Sequence, residues 1–130
     1  MKLNPDCVRD TLLVIESADY GEYISPKSLH QELPQYSESE IEYTCLILDD
    51  GGFLIATTVD LPGQLITSVK SVIRLTYQGH ELIAKIRDDK RWRGIKKALP
   101  AIRNYSLDAI KAVSDGMTSA AISALTQTNL

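Results

Sequence analysis

Apolar and polar positions alternate with helical spacing along the first 50 residues, in stretches separated by proline, glycine and serine. The first stretch begins at Asn4-Pro5, a side-chain cap followed by the proline that suits a first helical position, and is expected to end near residue 18. The second begins with the same signal at Ser25-Pro26 and stops at the proline that follows residue 33. These signals predict one long and one short helix.

The third stretch opens with a serine and a glutamate at capping-box spacing. Ser37 is placed to accept a hydrogen bond from the Glu40 amide, and the Glu40 side chain is placed to reach back to Ser37. Apolar residues then recur three and four positions apart, and the Gly51-Gly52 pair predicts the end of this helix after residue 50.

The residues that follow are typical of a β-hairpin. Residues 53–59 (FLIATTV) and 68–75 are the strand candidates, and the segment between them contains a Pro-Gly turn signal. Thr76 is then placed to cap another helix.

Three helices, a two-stranded hairpin and a further helix are the element order of a winged helix. In that arrangement the second and third helices form a helix-turn-helix and the hairpin is the wing. The predicted fold class is therefore α+β, mostly α. We expect a winged-helix domain at 1–88 and a C-terminal helical extension at 89–130, which packs on the core or is used for dimerisation.

The helix after the hairpin is predicted to break at Asp88-Asp89. An uninterrupted helix, at about 100° per residue, would place Lys90 among the apolar side chains of the preceding turns. A new helix from about residue 90 instead has an apolar face anchored by Trp92, and Pro100 kinks or ends it.

Seven basic residues crowd this region, which we call the basic segment: Lys85, Arg87, Lys90, Arg91, Arg93, Lys96 and Lys97. Within it Lys90, Arg93 and Lys97 share one helix face, at i, i+3 and i+7, and form the basic stripe. Three interpretations stay open. In the first, the residues form a solvated face whose aliphatic stems cover apolar surface. In the second, they pair with acidic residues of this chain or of a partner. In the third, they contact nucleic-acid phosphates.

The third helix, which would be the recognition helix, has the opposite charge and no lysine or arginine. Its acidic residues, a candidate face for a protein partner, are Glu38, Glu40, Glu42, Asp49 and Asp50. A DNA-reading helix brings basic or amide side chains to bases and phosphates, whereas these carboxylates would meet one phosphate charge per about 1.7 Å of duplex. DNA contact is therefore expected only through the basic segment, without sequence specificity.

The last helix, capped by Ser106, has an apolar sector bordered by small residues. That sector is a candidate dimer face and consists of Leu107, Ile110, Met117, Ala121 and Leu125. Small side chains let a second helix approach closely, so the helix packs on its own domain near Trp92 and Ile95 or forms a homodimer contact. A role at a membrane surface is the least favoured alternative, and no membrane partner is expected.

The charge is divided unevenly along the chain. Residues 1–60 contain twelve acidic and three basic residues, and residues 61–130 contain five acidic and eleven basic ones. If the halves fold side by side, the molecule has an acidic and a basic pole that can steer partners, including a second copy. Cys7 and Cys45 lie in apolar helical patterns and are expected to be buried, reduced thiols.

Candidate chemistry is sparse. The chain has no Gly-rich phosphate loop and no nucleophile elbow, and neither His30 nor His80 has a cysteine or histidine at ligand spacing. We expect no enzymatic activity, no cofactor and no metal. The N-terminus lacks the apolar run of a signal peptide and no stretch approaches the roughly 18 apolar residues of a membrane span, so a cytoplasmic location is expected.

Three segments of the chain are similar to a known family: MKLNPDCVRDTLLVIE, LTYQGHELIAKIRDDKRW and YSLDAIK. They resemble a small bacterial and prophage family of hypothetical proteins, domain of unknown function twenty-five thirteen. The pattern LT-x-x-GHE-x-x-x-x-IRDD-x-x-W is the most specific of the three. The resemblance covers almost the whole chain and implies a winged-helix-like core and occurrence in phage-derived regions, but it supplies no activity, substrate or site residue.

The residues that match this pattern are expected to be structural. Gly79 would allow close packing, Trp92 would anchor the core, and Arg87 with Asp88 or Asp89 would fix the helix junction. The expected function is that of a non-catalytic winged-helix interaction module, phage-associated and self-associating. The alternative is a DNA-binding regulator that contacts phosphates through residues 85–97.

Overall fold

Side-chain caps begin the helices where the sequence predicts them. The computed structural model describes residues 1–116. Within that range the elements are α1 (Pro5–Ser17), α2 (Pro26–Glu32), α3 (Glu38–Asp50), β1 (Leu54–Asp60), β2 (Thr67–Leu75), α4 (Tyr77–Ile86), α5 (Asp89–Ile102) and α6 (Leu107–Gly116). The described part of the chain is thus α+β and mostly helical, which confirms the predicted class.

One detail of the predicted capping differs. The Ser37 hydroxyl accepts from the Glu40 amide at 3.1 Å, but the Glu40 carboxylate does not return to Ser37. It accepts instead from the Asn4 side-chain amide at 2.9 Å, because α1 begins next to α3. The reciprocal box is found in α2, where Ser25 and Ser28 each bond the other's backbone amide.

The two strands form an antiparallel hairpin, as predicted. Their register runs from Leu54 opposite Leu75 to Asp60 opposite Thr67, with two irregularities that let the ribbon twist. Ile24, just before α2, adds an isolated antiparallel bridge to Val72. This bridge joins β2 to the segment that leads into α2.

A single apolar core includes residues from both predicted parts of the chain. In α1 the side chains of Cys7, Val8 and Leu12 are completely buried. The core also includes residues of α5 and α6, among them Trp92, Ile95, Leu99, Leu107 and Ile110. The described part of the extension therefore packs on the helices of residues 1–88.

The predicted break between α4 and α5 is confirmed. The helices are separated by two residues, and the Asp88 carboxylate caps α5 by accepting from the Arg91 amide at 2.7 Å. Pro100 lies inside α5, which ends two residues later at Ile102. Arg103 follows in a left-handed conformation, with φ of 53°.

Gly79 is the point of closest approach between α4 and the start of the hairpin. A Cβ atom at this position would lie 2.0 Å from the carbonyl oxygen of Phe53, which already accepts from the Thr76 amide at 3.0 Å. Because the obstacle is backbone, a small side-chain movement cannot relieve it. The predicted close-packing role of this glycine is therefore confirmed.

Gly79→Ala should lower the free energy of unfolding by about 2 kcal/mol, since overpacking against backbone costs about 3 kcal/mol and replacing a helical glycine gains only about 1 kcal/mol. Urea unfolding would measure it. Gln78→Ala, on the exposed side of the same turn, is the control and should change little. Equal stability of Gly79→Ala and wild type would show that the close approach is not a constraint.

Candidate functional site

Arg9 of α1 holds the junction between α4 and α5 together. Its Nε donates to the carbonyl of Ile86 at 2.8 Å, and its Nη2 donates to the carbonyl of Arg87 at 2.6 Å. The same Nη2 pairs with the Asp89 carboxylate at 2.7 Å, and the guanidinium lies 5.7 Å from the centre of the Trp92 ring. One side chain thus satisfies the last carbonyls of α4 and contacts the first turn of α5.

Asp6, one turn before Arg9, forms a second link to α5. Its carboxylate accepts from Trp92 Nε1 at 3.0 Å and from Lys96 Nζ at 2.9 Å. Burial on its own would raise the pKa of this carboxyl, but the hydrogen bonds from Lys96 and Trp92 outweigh it, so the pKa lies below its usual value. Asp6 is therefore charged and held between α1 and α5.

Arg87 is oriented differently from the sequence expectation. Its guanidinium forms two hydrogen bonds to the Glu16 carboxylate of α1, and not to Asp88 or Asp89. These bonds lower the pKa of Glu16. The polar fixing of the helix junction comes from Arg9, Asp88 and Asp89, while Arg87 pairs the basic segment with the acidic first half of the chain.

Two further members of the basic segment contact α6. Lys85 pairs with the Asp115 carboxylate, and Arg91 donates to the carbonyl of Ser114 at 2.6 Å. Together with Arg87 and Lys96, four of the seven basic residues are therefore bonded within the chain. The bonds of Lys85 and Arg91 hold α6 against α4 and α5, and those of Arg87 and Lys96 reach α1.

The basic stripe is different. Lys90, Arg93 and Lys97 are exposed, and none of them forms a hydrogen bond or ion pair with a residue of the described range 1–116. They share one face of α5, opposite the side that packs on the core through Trp92 and Ile95. The three cationic groups therefore face solvent in the described part of the chain.

The acidic residues of α3 mostly bond to neighbouring elements. The Glu42 carboxylate accepts from the Val69 amide at 2.8 Å, and the Asp49 carboxylate accepts from the Ala56 amide at 2.9 Å, so both fasten α3 to the hairpin. Glu40 bonds to α1, as described above. Glu38 and Asp50 are exposed at opposite ends of the helix. The acidic face predicted for α3 is therefore smaller than its five carboxylates indicate.

The predicted dimer sector is described only at its start. Leu107 and Ile110 are 7% and 0% exposed, and both belong to the chain's own core. Met117, Ala121 and Leu125 lie outside the described residues. The two described members are therefore occupied within the chain, and a contact through the rest of the sector stays a prediction.

A groove that the sequence reading missed lies between the α1–α2 loop, β2 and α4. It has a volume of about 700 Å³, and its walls include Tyr20, Ile73 and Tyr77 together with the carboxylates of Asp19 and Glu22. A smaller groove of about 330 Å³ shares Glu22 with it and adds Tyr23 and Glu32. We call the two together the tyrosine groove. Its one sequence signal is the segment ADYGEY, in which two tyrosines alternate with carboxylates after α1.

The tyrosine groove exposes three aromatic rings and several carboxylates. Tyr20 is fully exposed, and Tyr77 and Tyr23 are 73% and 68% exposed. Asp19, Glu22 and Glu32 are exposed, and their carboxylates bond to no residue within 1–116. Glu16 at its edge is occupied by Arg87, and Arg74 donates to the carbonyl of Leu75. The groove thus combines aromatic rings with three unbonded carboxylates.

Both cysteines are buried free thiols, as predicted. Burial raises the pKa of the Cys7 thiol and raises that of Cys45 to about 12. Among the described residues no group of three or more histidine, cysteine or carboxylate side chains is placed to hold a metal ion. None of the helices in that range is long and apolar enough to cross a membrane.

Comparisons with known proteins give a family and a relative. The sequence model of the family described as hypothetical protein (DUF2513) matches residues 2–106. An uncharacterized protein of Haemophilus influenzae strain Rd is 31% identical over 121 residues, which cover 92% of this chain and 97% of that protein. No solved structure matches the chain.

Replacing Arg9 should lower the free energy of unfolding far more than replacing the exposed Arg87. Arg9→Ala removes the guanidinium that bonds the carbonyls of Ile86 and Arg87 and lies near the Trp92 ring. It should lower the free energy of unfolding by about 2–3 kcal/mol. Arg87→Ala, which removes an exposed ion pair, should lower stability much less. Chemical denaturation of both variants measures the difference, and an equal loss in the two would contradict the role given to Arg9.

The lowered pKa of Asp6 predicts a specific acid response. A carboxyl whose folded pKa is depressed contributes stability that is full above about pH 4 and is lost as the pH falls through the folded pKa. Asp6→Asn should therefore reduce stability at pH 7 and flatten its decline below pH 4. Asp50→Asn is the control, and a curve for Asp6→Asn parallel to wild type would contradict the assignment.

Proposed function

We propose that this chain, which belongs to the family described as hypothetical protein (DUF2513), is a non-catalytic winged-helix interaction module that associates with a second copy of itself. The winged-helix assignment is supported by the order of α1, α2, α3 and an antiparallel hairpin followed by α4. In this assignment α2 and α3 are the helix-turn-helix and β1–β2 is the wing. A cytoplasmic location and an association with phage-derived regions are part of the proposal.

The negative charge of α3 is the observation that favours a protein partner over DNA. This helix would be the one to enter the major groove, yet it has no lysine or arginine and five carboxylates. Three of those carboxylates are fixed by bonds to α1 or the hairpin, so they cannot turn away from an approaching phosphate backbone. Docking of α3 on DNA would bring fixed negative charges against phosphates.

The basic stripe favours a second candidate, a DNA-binding regulator. Lys90, Arg93 and Lys97 face away from the core with no bonding partner among the described residues. Three phosphate contacts would give binding without sequence specificity, and log Kobs would fall with log salt at a slope of about −3. In a dimer, two stripes on one side of the assembly would strengthen this contact.

Fluorescence anisotropy with labelled duplex DNA, at low and physiological salt, separates the candidates. The wild type is compared with the variant Lys90→Glu, Arg93→Glu, Lys97→Glu. A second variant with Lys27→Glu, Lys70→Glu and Lys111→Glu makes the same change in net charge at exposed positions elsewhere and is the matched control.

We expect no binding at physiological salt, and any weak binding at low salt should fall equally in both variants. Binding that survives physiological salt and is lost only in the stripe variant would overturn the proposal in favour of the DNA-binding regulator. Sedimentation velocity over a range of protein concentrations tests the self-association directly, and a strictly monomeric protein would contradict it.

A further inference from the structure

We infer that the tyrosine groove of one copy binds the basic stripe on α5 of a second copy. The inference rests on the self-association proposed above and names the two surfaces that make the contact. Within residues 1–116 no side chain bonds to the charged groups of either surface, whereas Arg87 and Lys96 beside them are paired with Glu16 and Asp6. The occupant is a second copy because the complementary charge is present on the same chain.

The two surfaces carry equal numbers of unbonded charged side chains, and their signs are opposite. The groove presents the unbonded carboxylates of Asp19, Glu22 and Glu32, and the stripe presents the three unbonded cations of Lys90, Arg93 and Lys97. Among the other charged groups nearby, Arg74 on the groove wall donates to the backbone carbonyl of Leu75 and keeps its positive charge there. Glu16 binds Arg87, and Asp6 binds Lys96, so these groups hold the fold and are not available to a partner.

The tyrosines supply the apolar part of the contact. Tyr20, Tyr23 and Tyr77 are exposed around the groove, and Ile73 is 59% exposed on its wall. Tyrosine is enriched at protein interfaces because a rigid ring buries much area at a small entropic cost, and lysine and arginine bind favourably over its face. A helix that presents lysine and arginine three and four residues apart suits such a surface.

The described chain does not make this contact within itself. Arg9, Asp6 and Arg87 fasten α5 and the end of α4 to α1, so the stripe is held on a face directed away from the core. The groove is built from the α1–α2 loop, β2 and α4, whose positions are fixed by the same core. When two copies associate about a two-fold axis, each groove meets the other copy's stripe and the contact is made twice.

A charge-exchange experiment tests this pairing. Asp19→Lys with Glu22→Lys makes the groove basic, and Lys90→Glu, Arg93→Glu with Lys97→Glu makes the stripe acidic. Each variant alone should associate about 100-fold more weakly than wild type in sedimentation velocity, because like charges then meet at the contact. Circular dichroism and thermal unfolding establish that both variants are folded.

Mixing the two variants is the decisive step. The basic groove of one then meets the acidic stripe of the other, and their native groove and stripe also meet, so the mixture should associate to within about tenfold of the wild type. Tyr20→Ala with Tyr77→Ala should weaken self-association at constant charge. Tyr105→Ala, a partly exposed tyrosine outside the groove, is the control and should leave it unchanged.

The outcomes separate this inference from the proposal on which it rests. If the wild type and the groove variant associate equally well, the groove–stripe pairing is overturned and the proposed self-association stands. Failure of the mixture to recover would overturn it as well. A monomeric wild type would overturn both the groove–stripe pairing and the proposed self-association. The groove would then be a candidate site for a basic segment of another protein.

Discussion

The packing of α1 against α4 and α5 depends on one largely buried guanidinium, that of Arg9. Only two residues separate α4 from α5, which leaves no room for a capping segment at the end of α4. Arg9 supplies the missing donors from α1, since it bonds the carbonyls of Ile86 and Arg87 while its plane lies near Trp92. The side chain is 12% exposed, so water competes little for these carbonyls. The sharp turn between the helices is stable because this cation is present.

The same constraint determines which charges remain free. Once α5 is fixed on α1, Lys96 and Arg87 reach carboxylates of the first helix, and the basic half of the chain neutralises part of the acidic half. Among the charges that remain exposed in residues 1–116 are the stripe on the outer face of α5 and the carboxylates beyond the end of α1. The net charge of each half of the sequence therefore overstates the charge that a partner meets. Where the exposed charges lie on the surface matters more than their sum.

Elements with local signals could be predicted from the sequence, and contacts between distant residues could not. Asn4, Ser37 and Thr76 cap helices through residues two or three positions away, and the conflict at Lys90 required a break that Asp88 provides. Arg9, by contrast, bonds residues 77 to 80 positions further along the chain, and no local pattern indicates its role. The tyrosine groove was missed for the same reason, since its walls come from three separate segments. Glu40 satisfied every local rule for a capping box and was drawn instead to Asn4, because a tertiary partner lay within reach.

On these contacts α1 and α5 form one cooperative unit, fastened by Arg9 and Asp6 across the predicted boundary at residue 88. Native-state hydrogen exchange measures this directly, by comparing the opening free energies of the buried amides of Leu12 in α1 and Ile95 in α5 as denaturant is raised. If α1 and α5 are one unit, both amides exchange through the same global unfolding, with equal free energies and equal dependence on denaturant. Exchange of Ile95 through a separate opening of lower free energy, while Leu12 stays protected, would contradict it and make residues 89 onward an independent appendage.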